Sequence, residues 1–296
     1  MIHVPGELAR TQALFNGDTG REFVAGLPAL AEEFLGRWGL RVTGPSLHGA
    51  VSLVLPVARI ADGTPAALKL TLVDEETEGE PVALREWDGA GSVRLLDHDP
   101  VSGTLLLERL DAGRPLSSLD DPREALRVVA GLLARLVALP APDGLRRLGD
   151  IAAGMLAEVP EAVSGMSAEE AALVEECAAA VRDVADAPGD RLLHWDLHLG
   201  NVLAGAREPW LAIDPKPLAG DPGFELLPAL MDRWDPRTDE VLWRFDLLAD
   251  VVGDRRRAVA WTLGRVLQNA LWDAEDGDGP DPEQVELARI LLARRA

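Results

Sequence analysis

The hydrophobic pattern of this chain changes its period once, near residue 110, and that change limits the folds open to it. Between Ser46 and Asp99 the apolar residues come in short β-rich runs. AVSLVLPVARI and PAALKLTLV flank ADGT, whose Asp-Gly marks a turn, so the two runs read as an antiparallel hairpin. EPVALREW follows as a helix with Glu80, Leu84 and Trp87 on one face. VRLLD and GTLLLERL then read as two further strands joined through HDPVSG. Beyond DAGRPL the strands nearly stop. DPREALRVVAGLLARLVAL and SAEEAALVEECAAAVRDVA are amphipathic helices, the first with Asp121 as its cap and Pro122 at its first position. From Gly223 onward the pattern is helical again, broken by turns at DPRTD and GDGPDPE. The first forty residues also read as helix, with Phe23, Leu27, Leu30, Phe34 and Trp38 on one stripe. The expectation is an α+β chain in three parts. These are a β-rich unit over 1–107 with a helical extension to about 40, a connector at 108–116, and a mainly helical unit over 117–296.

A chain of 296 residues is long enough for two such units and a sizeable core. No run approaches the roughly 18 unbroken apolar residues of a membrane span. The start, MIHVPGELAR, lacks the basic and apolar regions of a secretory signal. Cys177 is the single cysteine, so no intrachain disulfide can form, and its alanine-rich surroundings predict a buried small hydrophobe. These features read as cytoplasmic. Net charge is −21, with −7 carried by residues 1–110 and −14 by the remainder. Both halves would repel a nucleic-acid backbone or an anionic membrane surface. The same acidity would draw in a small cation, though an acidic surface serves solubility equally well.

Chemistry concentrates in LHWDLHLGNVL (193–203) and in the AIDPKP that follows. Asp196 and Asn201 are five apart, as in the H-R-D-x-x-x-x-N catalytic loop of protein kinases. There the aspartate accepts a proton from the attacking hydroxyl and the asparagine ligates magnesium. Asp214, at the end of the apolar run WLAI, stands where a second ligand is needed. One carboxylate and one amide oxygen suit a hard cation that keeps waters and phosphates in its shell. His194 and His198 have the spacing of an H-x-x-x-H zinc pair, but that pair needs a helix, and Gly200 argues for a loop.

If Asp196 works on ATP, the β-rich unit should supply a lysine on a central strand. Lys69 in AALKL fits, and it is the only lysine before residue 216 in a chain that otherwise uses arginine. Glu80 is its expected acidic partner, since it shares a helix face with Leu84 and Trp87; Glu86 is the alternative and reads as solvated. The stretch LHGAVSLVLPV, with Gly49 in its turn, would cover the phosphates, and Ser52 within it is assigned to nucleotide binding. LLLERLDAGRPL (105–116) would be the hinge, with main-chain groups of Glu108 and Leu110 facing an adenine ring.

Lys69, LLLERL, HWDLHLGNVL and AIDPKPLAGDPGFEL together resemble the aminoglycoside phosphotransferase family, and more narrowly its streptomycin and hydroxyurea branch. The narrow resemblance rests on residues 192–230 and on RVLQNALWDAEDG (265–277). It implies a protein-kinase-like bilobal fold, ATP with Mg2+, and phosphoryl transfer to the hydroxyl of a small molecule. It makes Asp196 the catalytic base, Asn201 and Asp214 the metal ligands, and Lys69 a phosphate contact partnered by Glu80. Where protein kinases have D-F-G, the branch has IDPKP, which places Lys216 near the phosphates. Asp221 is given a loop-organising role. Streptomycin-type aminoglycosides are the leading acceptors; hydroxyurea or a housekeeping metabolite is the alternative, and a catalytically silent nucleotide-binding regulator is a third. Six of the eight tryptophans follow residue 190. Trp261, Gln268 and Trp272 share a helix face, with Asp273 and Asp276 beside it, so Trp234, Gln268, Trp272 and Asp273 are assigned to a cationic acceptor. A tryptophan stripe of this kind can equally be core.

Overall fold

The structure, a computed structural model, describes residues 2–295. It divides into two compact units. The first runs up to Ala112 and takes in Gly205–Pro209; the second comprises Gly113–Ala204 and the chain from Trp210 onward.

The first unit opens with helix α1 (Gly6–Arg37), which is broken at Gly17 by φ 53 and ψ −128. The break folds the two halves tightly together: a Cβ at Gly20 would lie 2.1 Å from the Gln12 carbonyl oxygen. Strands β1 (Leu40–Val42), β2 (Leu47–His48), β3 (Ser52–Arg59) and β4 (Pro65–Thr71) follow. Then come α2 (Glu80–Trp87), β5 (Leu95–His98) and β6 (Leu105–Glu108). The sheet order is β1-β3-β4-β6-β5, with β2 also on β3, and every pairing is antiparallel. The expected hairpin is β3 and β4, in register from Ser52↔Thr71 to Ala58↔Pro65. Leu53, Leu55, Val57, Leu68 and Leu70 are buried against Leu27, Ala31 and Phe34 of α1, as the stripe on that helix predicted. Each such fully buried aliphatic side chain contributes about 1.5–3 kcal/mol over an exposed one.

The second unit is mainly helical: α3 (Pro122–Leu136), α4 (Leu148–Ala162), α5 (Ala168–Arg182), α6 (Leu226–Met231), α7 (Thr238–Val252), α8 (Arg255–Glu275) and α9 (Pro282–Arg295). Local chemistry sets several of the starts. Asp121 accepts the amide of Arg123 with Pro122 at the first position, and Ser167 with Glu170 forms a reciprocal capping box. Helix α8 is the most enclosed and packs against α4, α5, α7 and α9. Cys177 on α5 is buried, as expected. The segment expected to be a bare connector is partly a strand, β7 (Asp111–Pro115). It belongs to a small sheet ordered β11-β10-β7, with β10 (Val202–Ala204) and β11 (Trp210–Ala212) antiparallel. A third sheet joins β8 (Arg146–Arg147), β12 (Leu218–Gly220) and β9 (Arg191–Leu193). Among the described residues, no helix is long and apolar enough to cross a membrane.

Candidate active site

Lys69 lies on β4, opposite Val54 on one side and Leu105 on the other, so its strand is central and the lysine is not at an edge. Its neighbours Leu68 and Leu70 point into the core, which sends Lys69 to the other face. There its Nζ donates to both oxygens of Glu80, at 2.7 and 2.6 Å, with both residues almost wholly buried. Glu86 is exposed. Ser52 is buried at the start of β3, beside a tight turn in which the Gly49 amide donates to the Ser52 carbonyl. At the end of β6 the Glu108 amide donates to the Arg94 carbonyl. Its carboxylate grips Arg207 at 3.0 and 3.3 Å. Arg207 also donates to the carbonyls of Gly89 and Ser92, and thereby fastens the Gly205–Pro209 loop to the first unit. Gly89, at φ 80, must be glycine here: a Cβ would stand 2.9 Å from the Arg207 Nη2. The Leu110 side chain is buried.

In the second unit, β9 ends at Leu193 and β10 begins at Val202. The eight residues between them form a loop closed by a short turn over Leu199–Asn201. His194 is fully buried, and burial pushes its pKa down to about 4, so the imidazole is neutral. Its Nδ1 accepts the Asp196 amide, so its Nε2 carries the hydrogen and donates to the Ile213 carbonyl at 3.0 Å. With both nitrogens committed, His194 has none left for zinc. The Asn201 side-chain amide donates to the Asp196 carbonyl (2.9 Å) and to its Oδ2 (3.2 Å), which orients the asparagine with its Oδ1 turned outward from that pair. Asp196 is half-buried, and burial raises its pKa, while Lys216, His198, Arg265 and Asn201 pull the other way. The Ile213 amide donates to the Asn201 carbonyl, which brings the segment carrying Asp214 alongside Asn201. Asp214 itself sits at φ 54, a left-handed backbone that a non-glycine residue adopts at a cost of about 1–2 kcal/mol. Lys216, between buried Pro215 and Pro217, donates its amide to the His194 carbonyl. Asp221 accepts the Gly223 amide and pairs with Arg257 at 2.7 Å, the loop-organising part expected of it.

The four residues assigned to an acceptor differ in their surroundings. Trp261, on the same stripe, is core: it is fully buried and packs edge-on against Phe224. Trp272 is 41 % exposed and stands edge-on to Trp195, 6.4 Å between ring centroids. Gln268 is buried and accepts from Arg265, whose guanidinium lies over the rings of Trp195 and Trp272. Asp273 points a quarter turn away and accepts the Asp281 amide. Burial and then the carboxylates of Asp281, Asp278 and Asp276 push its pKa up. Trp234 is half-buried, just beyond α6. Within this unit an open cleft of about 770 Å³ is lined by Glu158, Glu161, Met166, Trp272, Glu275 and Asp278.

The sequence reading missed Glu225 and Arg265. Glu225 is 1 % exposed, and its carboxylate accepts the amides of both His194 and Trp195. A lone acid within the apolar run GFELLPAL was the available signal.

Comparison with known proteins places the chain. A family model described as aminoglycoside/hydroxyurea antibiotic resistance kinase matches residues 37–277. A hydroxyurea phosphotransferase from Kitasatospora aureofaciens is 64% identical, over 99% of this chain and 87% of that protein. A streptomycin 6-kinase from Streptomyces glaucescens is 56% identical, over 98% of this chain and 97% of that protein. Among solved structures, a thermostable mutant of an aminoglycoside phosphotransferase, in ternary complex with ADP and hygromycin B, superposes with a TM-score of 0.62 at 17% identity. It covers 89% of this chain and 98% of its own. The fold is therefore of the protein-kinase-like class.

Proposed function

The chain belongs to the aminoglycoside/hydroxyurea antibiotic resistance kinase family, and on that premise we propose that it transfers the γ-phosphoryl group of ATP to a hydroxyl of a streptomycin-type aminoglycoside. The observation that carries the chemistry is the loop around Asp196. Its carboxylate, half-buried and hydrogen-bonded to Asn201, takes the proton of the acceptor hydroxyl as the oxygen attacks phosphorus. Burial makes that carboxylate more basic, while the charges of Lys216, His198 and Arg265 oppose the rise. Lys69, held straight by Glu80, contacts the phosphates, and Ser52, with the Glu108 carbonyl and Leu110, faces the nucleotide. Asn201 Oδ1 and the Asp214 carboxylate are hard oxygen donors fitted to Mg2+, a fit supported by the way Asp196 occupies the asparagine's NH2 end. When bound there, the ion neutralises the charge of the phosphates.

The acceptor class is supported by the cleft beside Trp272. Its volume suits a drug-sized ligand, and its four carboxylates next to an exposed indole suit guanidinium groups. A second reading has hydroxyurea as the acceptor, favoured by the 64% identity to a hydroxyurea phosphotransferase. Mass spectrometry of a panel holding streptomycin, other aminoglycosides, hydroxyurea and common sugars, incubated with protein, ATP and Mg2+, separates the two. A phosphoryl mass gain on streptomycin, absent with Asp196→Asn, supports the first reading. A gain on hydroxyurea alone replaces it with the second, and a gain on a sugar alone sinks both.

A further inference from the structure

The turn that joins β2 to β3 has little support of its own. The strands pair as Leu47↔Val54 and His48↔Leu53, so Gly49 and Ser52 close the hairpin and Ala50 and Val51 form its loop. Two-residue loops of this kind favour a left-handed backbone at one or both central positions. Ala50 and Val51 both lie outside that region. The Gly49 amide donates to the Ser52 carbonyl at 3.0 Å, while the Gly49 carbonyl accepts from His48 Nδ1.

The Val51 side of the loop is held from α1. Gln12 Nε2 donates to the Val51 carbonyl at 2.6 Å, and Gln12 Oε1 accepts from Asn16 Nδ2 at 2.9 Å. A carbonyl can only accept, so the Gln12 amide faces this way round. Gln12 is fully buried, four residues after Leu8, where an apolar side chain would be cheaper to bury. Its support is stiff. The break at Gly17 folds residues 6–16 back on the rest of α1, with the Gln12 carbonyl against Gly20 and Leu8 in the core of the sheet. The Val51 carbonyl and the Ser52 amide belong to one planar trans peptide and point to opposite sides of it. Fixing the first therefore aims the second.

We propose that Gln12 is a positioning residue for nucleotide binding: from the folded-back arm of α1 it holds the Val51–Ser52 peptide, and with it the turn over the ATP phosphates, in one conformation. The inference rests on the reading of this turn and Ser52 as part of the nucleotide site. Gln12 is buried and is not itself a contact of the nucleotide. A turn ordered beforehand loses less freedom when ATP binds, so the effect falls on affinity and not on the chemical step.

The test compares Gln12→Met and Gln12→Asn with the parent in the full chain. Methionine keeps the length and removes both hydrogen-bonding ends; asparagine keeps the amide and withdraws it by one methylene. Calorimetry gives the Kd for Mg-ATP, expressed per mole of folded protein from near-ultraviolet circular dichroism. Both variants should raise that Kd by roughly 3- to 10-fold, the worth of one hydrogen bond. The KM for ATP should rise in step, with kcat at saturating ATP within twofold, on streptomycin or on hydroxyurea if that is the acceptor the panel identifies. A purely structural Gln12 would lower Tm while leaving the Kd of the folded molecules unchanged, and that result overturns the proposal. A fall in kcat with unchanged Kd overturns it too. Should Gln12→Met not fold, Gln12→Asn decides by the same criterion. The Lys69→Met, Glu80→Met double variant is the reference for the site itself. If it loses Mg-ATP affinity while the folded Gln12 variants stay within twofold of the parent, this inference alone fails. If it binds Mg-ATP normally, the nucleotide site is misassigned and this inference falls with it.

Discussion

Removing the charge of Lys69 should do more to the fold than to any other property visible without nucleotide. Its Nζ stands 2.7 and 2.6 Å from the two Glu80 oxygens, and the side chains are 5% and 1% exposed. Lys69→Met preserves most of the stem and strips away the ammonium, leaving a buried carboxylate facing a methyl group. Breaking a buried pair from one side costs about 3–5 kcal/mol, whereas replacing both partners by apolar groups is neutral or stabilising. The single variant should therefore lose about that much, a shift of roughly 10²- to 10⁴-fold in the unfolding equilibrium. Lys69→Met combined with Glu80→Met should recover to within about 1 kcal/mol of the parent. Urea titration without nucleotide, followed by circular dichroism and closed as a double-mutant cycle, measures the coupling directly. Salt should change it little, because water and counter-ions do not reach the pair. Titration with Mg-ATP then divides structure from function: the double variant should be stable and yet have lost its nucleotide affinity. A cost below about 1 kcal/mol for the single variant, or a double variant as unstable as the single, would refute the energetic argument. A double variant that still binds Mg-ATP normally would remove Lys69 from the nucleotide site.

Asp196→Asn should keep Mg-ATP affinity while kcat falls by about 10²–10⁴-fold, the usual contribution of a positioned general base; single-turnover kinetics separates the two. Asp214→Ala should lose the Mg2+-dependent part of ATP affinity, and equal calorimetric affinity with and without Mg2+ in the parent would exclude the ligand assignment. Trp272→Ala should raise the KM for streptomycin by roughly 2- to 30-fold, the worth of about 0.5–2 kcal/mol of cation–π contact, without altering the KM for ATP. Burial drives Glu225 up to about 7, so its contribution is full below about 4.5 and is lost as pH rises through 7. Burial drives His194 down to about 4, so its contribution is present above 6.5 and is lost as pH falls through 4. Across pH 4.5–6.5 the two slopes oppose each other, and denaturation of Glu225→Gln should show stability rising with pH where the parent is nearly flat.

What the sequence disclosed depended on how far apart the interacting residues lie. The β3–β4 hairpin was legible because its period-2 runs meet at an Asp-Gly turn, and the starts of α3 and α5 because Asp121 and Ser167 cap their own next residues. The loop at 194–201 and Asp214 were legible because one hairpin, β10–β11, connects them. Glu225 was not, since its partners lie 30 and 31 positions upstream and nothing in the spacing marks them. Arg207, whose partners Gly89, Ser92 and Glu108 lie about a hundred residues away, was hidden in the same way. β7 escaped because Asp-Ala-Gly-Arg-Pro has poor strand propensity and is mostly exposed, so only the neighbouring strand makes it one. The face shared by Trp261 and Trp272 was readable from helical spacing. What covers each end of it was not, and Phe224 covers one end only.

Residue choice carries information where it runs against the habit of the chain. Of the 29 basic side chains, only Lys69 and Lys216 are lysines. An arginine fork at Lys69 would spread its donors over a plane, while the two oxygens of Glu80 converge on one point at 2.6–2.7 Å. Lys216 stands between two prolines, with its amide bonded to the carbonyl of His194, so its stem leaves a rigid backbone close enough to Asp196 for its charge to act on that carboxylate. A compact ammonium on a flexible stem can follow a phosphoryl group as it moves; a planar fork on the same short tether would have to turn as it moved. In a chain that uses arginine wherever a surface cation suffices, the two exceptions therefore fall at the two places where the proposed chemistry requires a point charge.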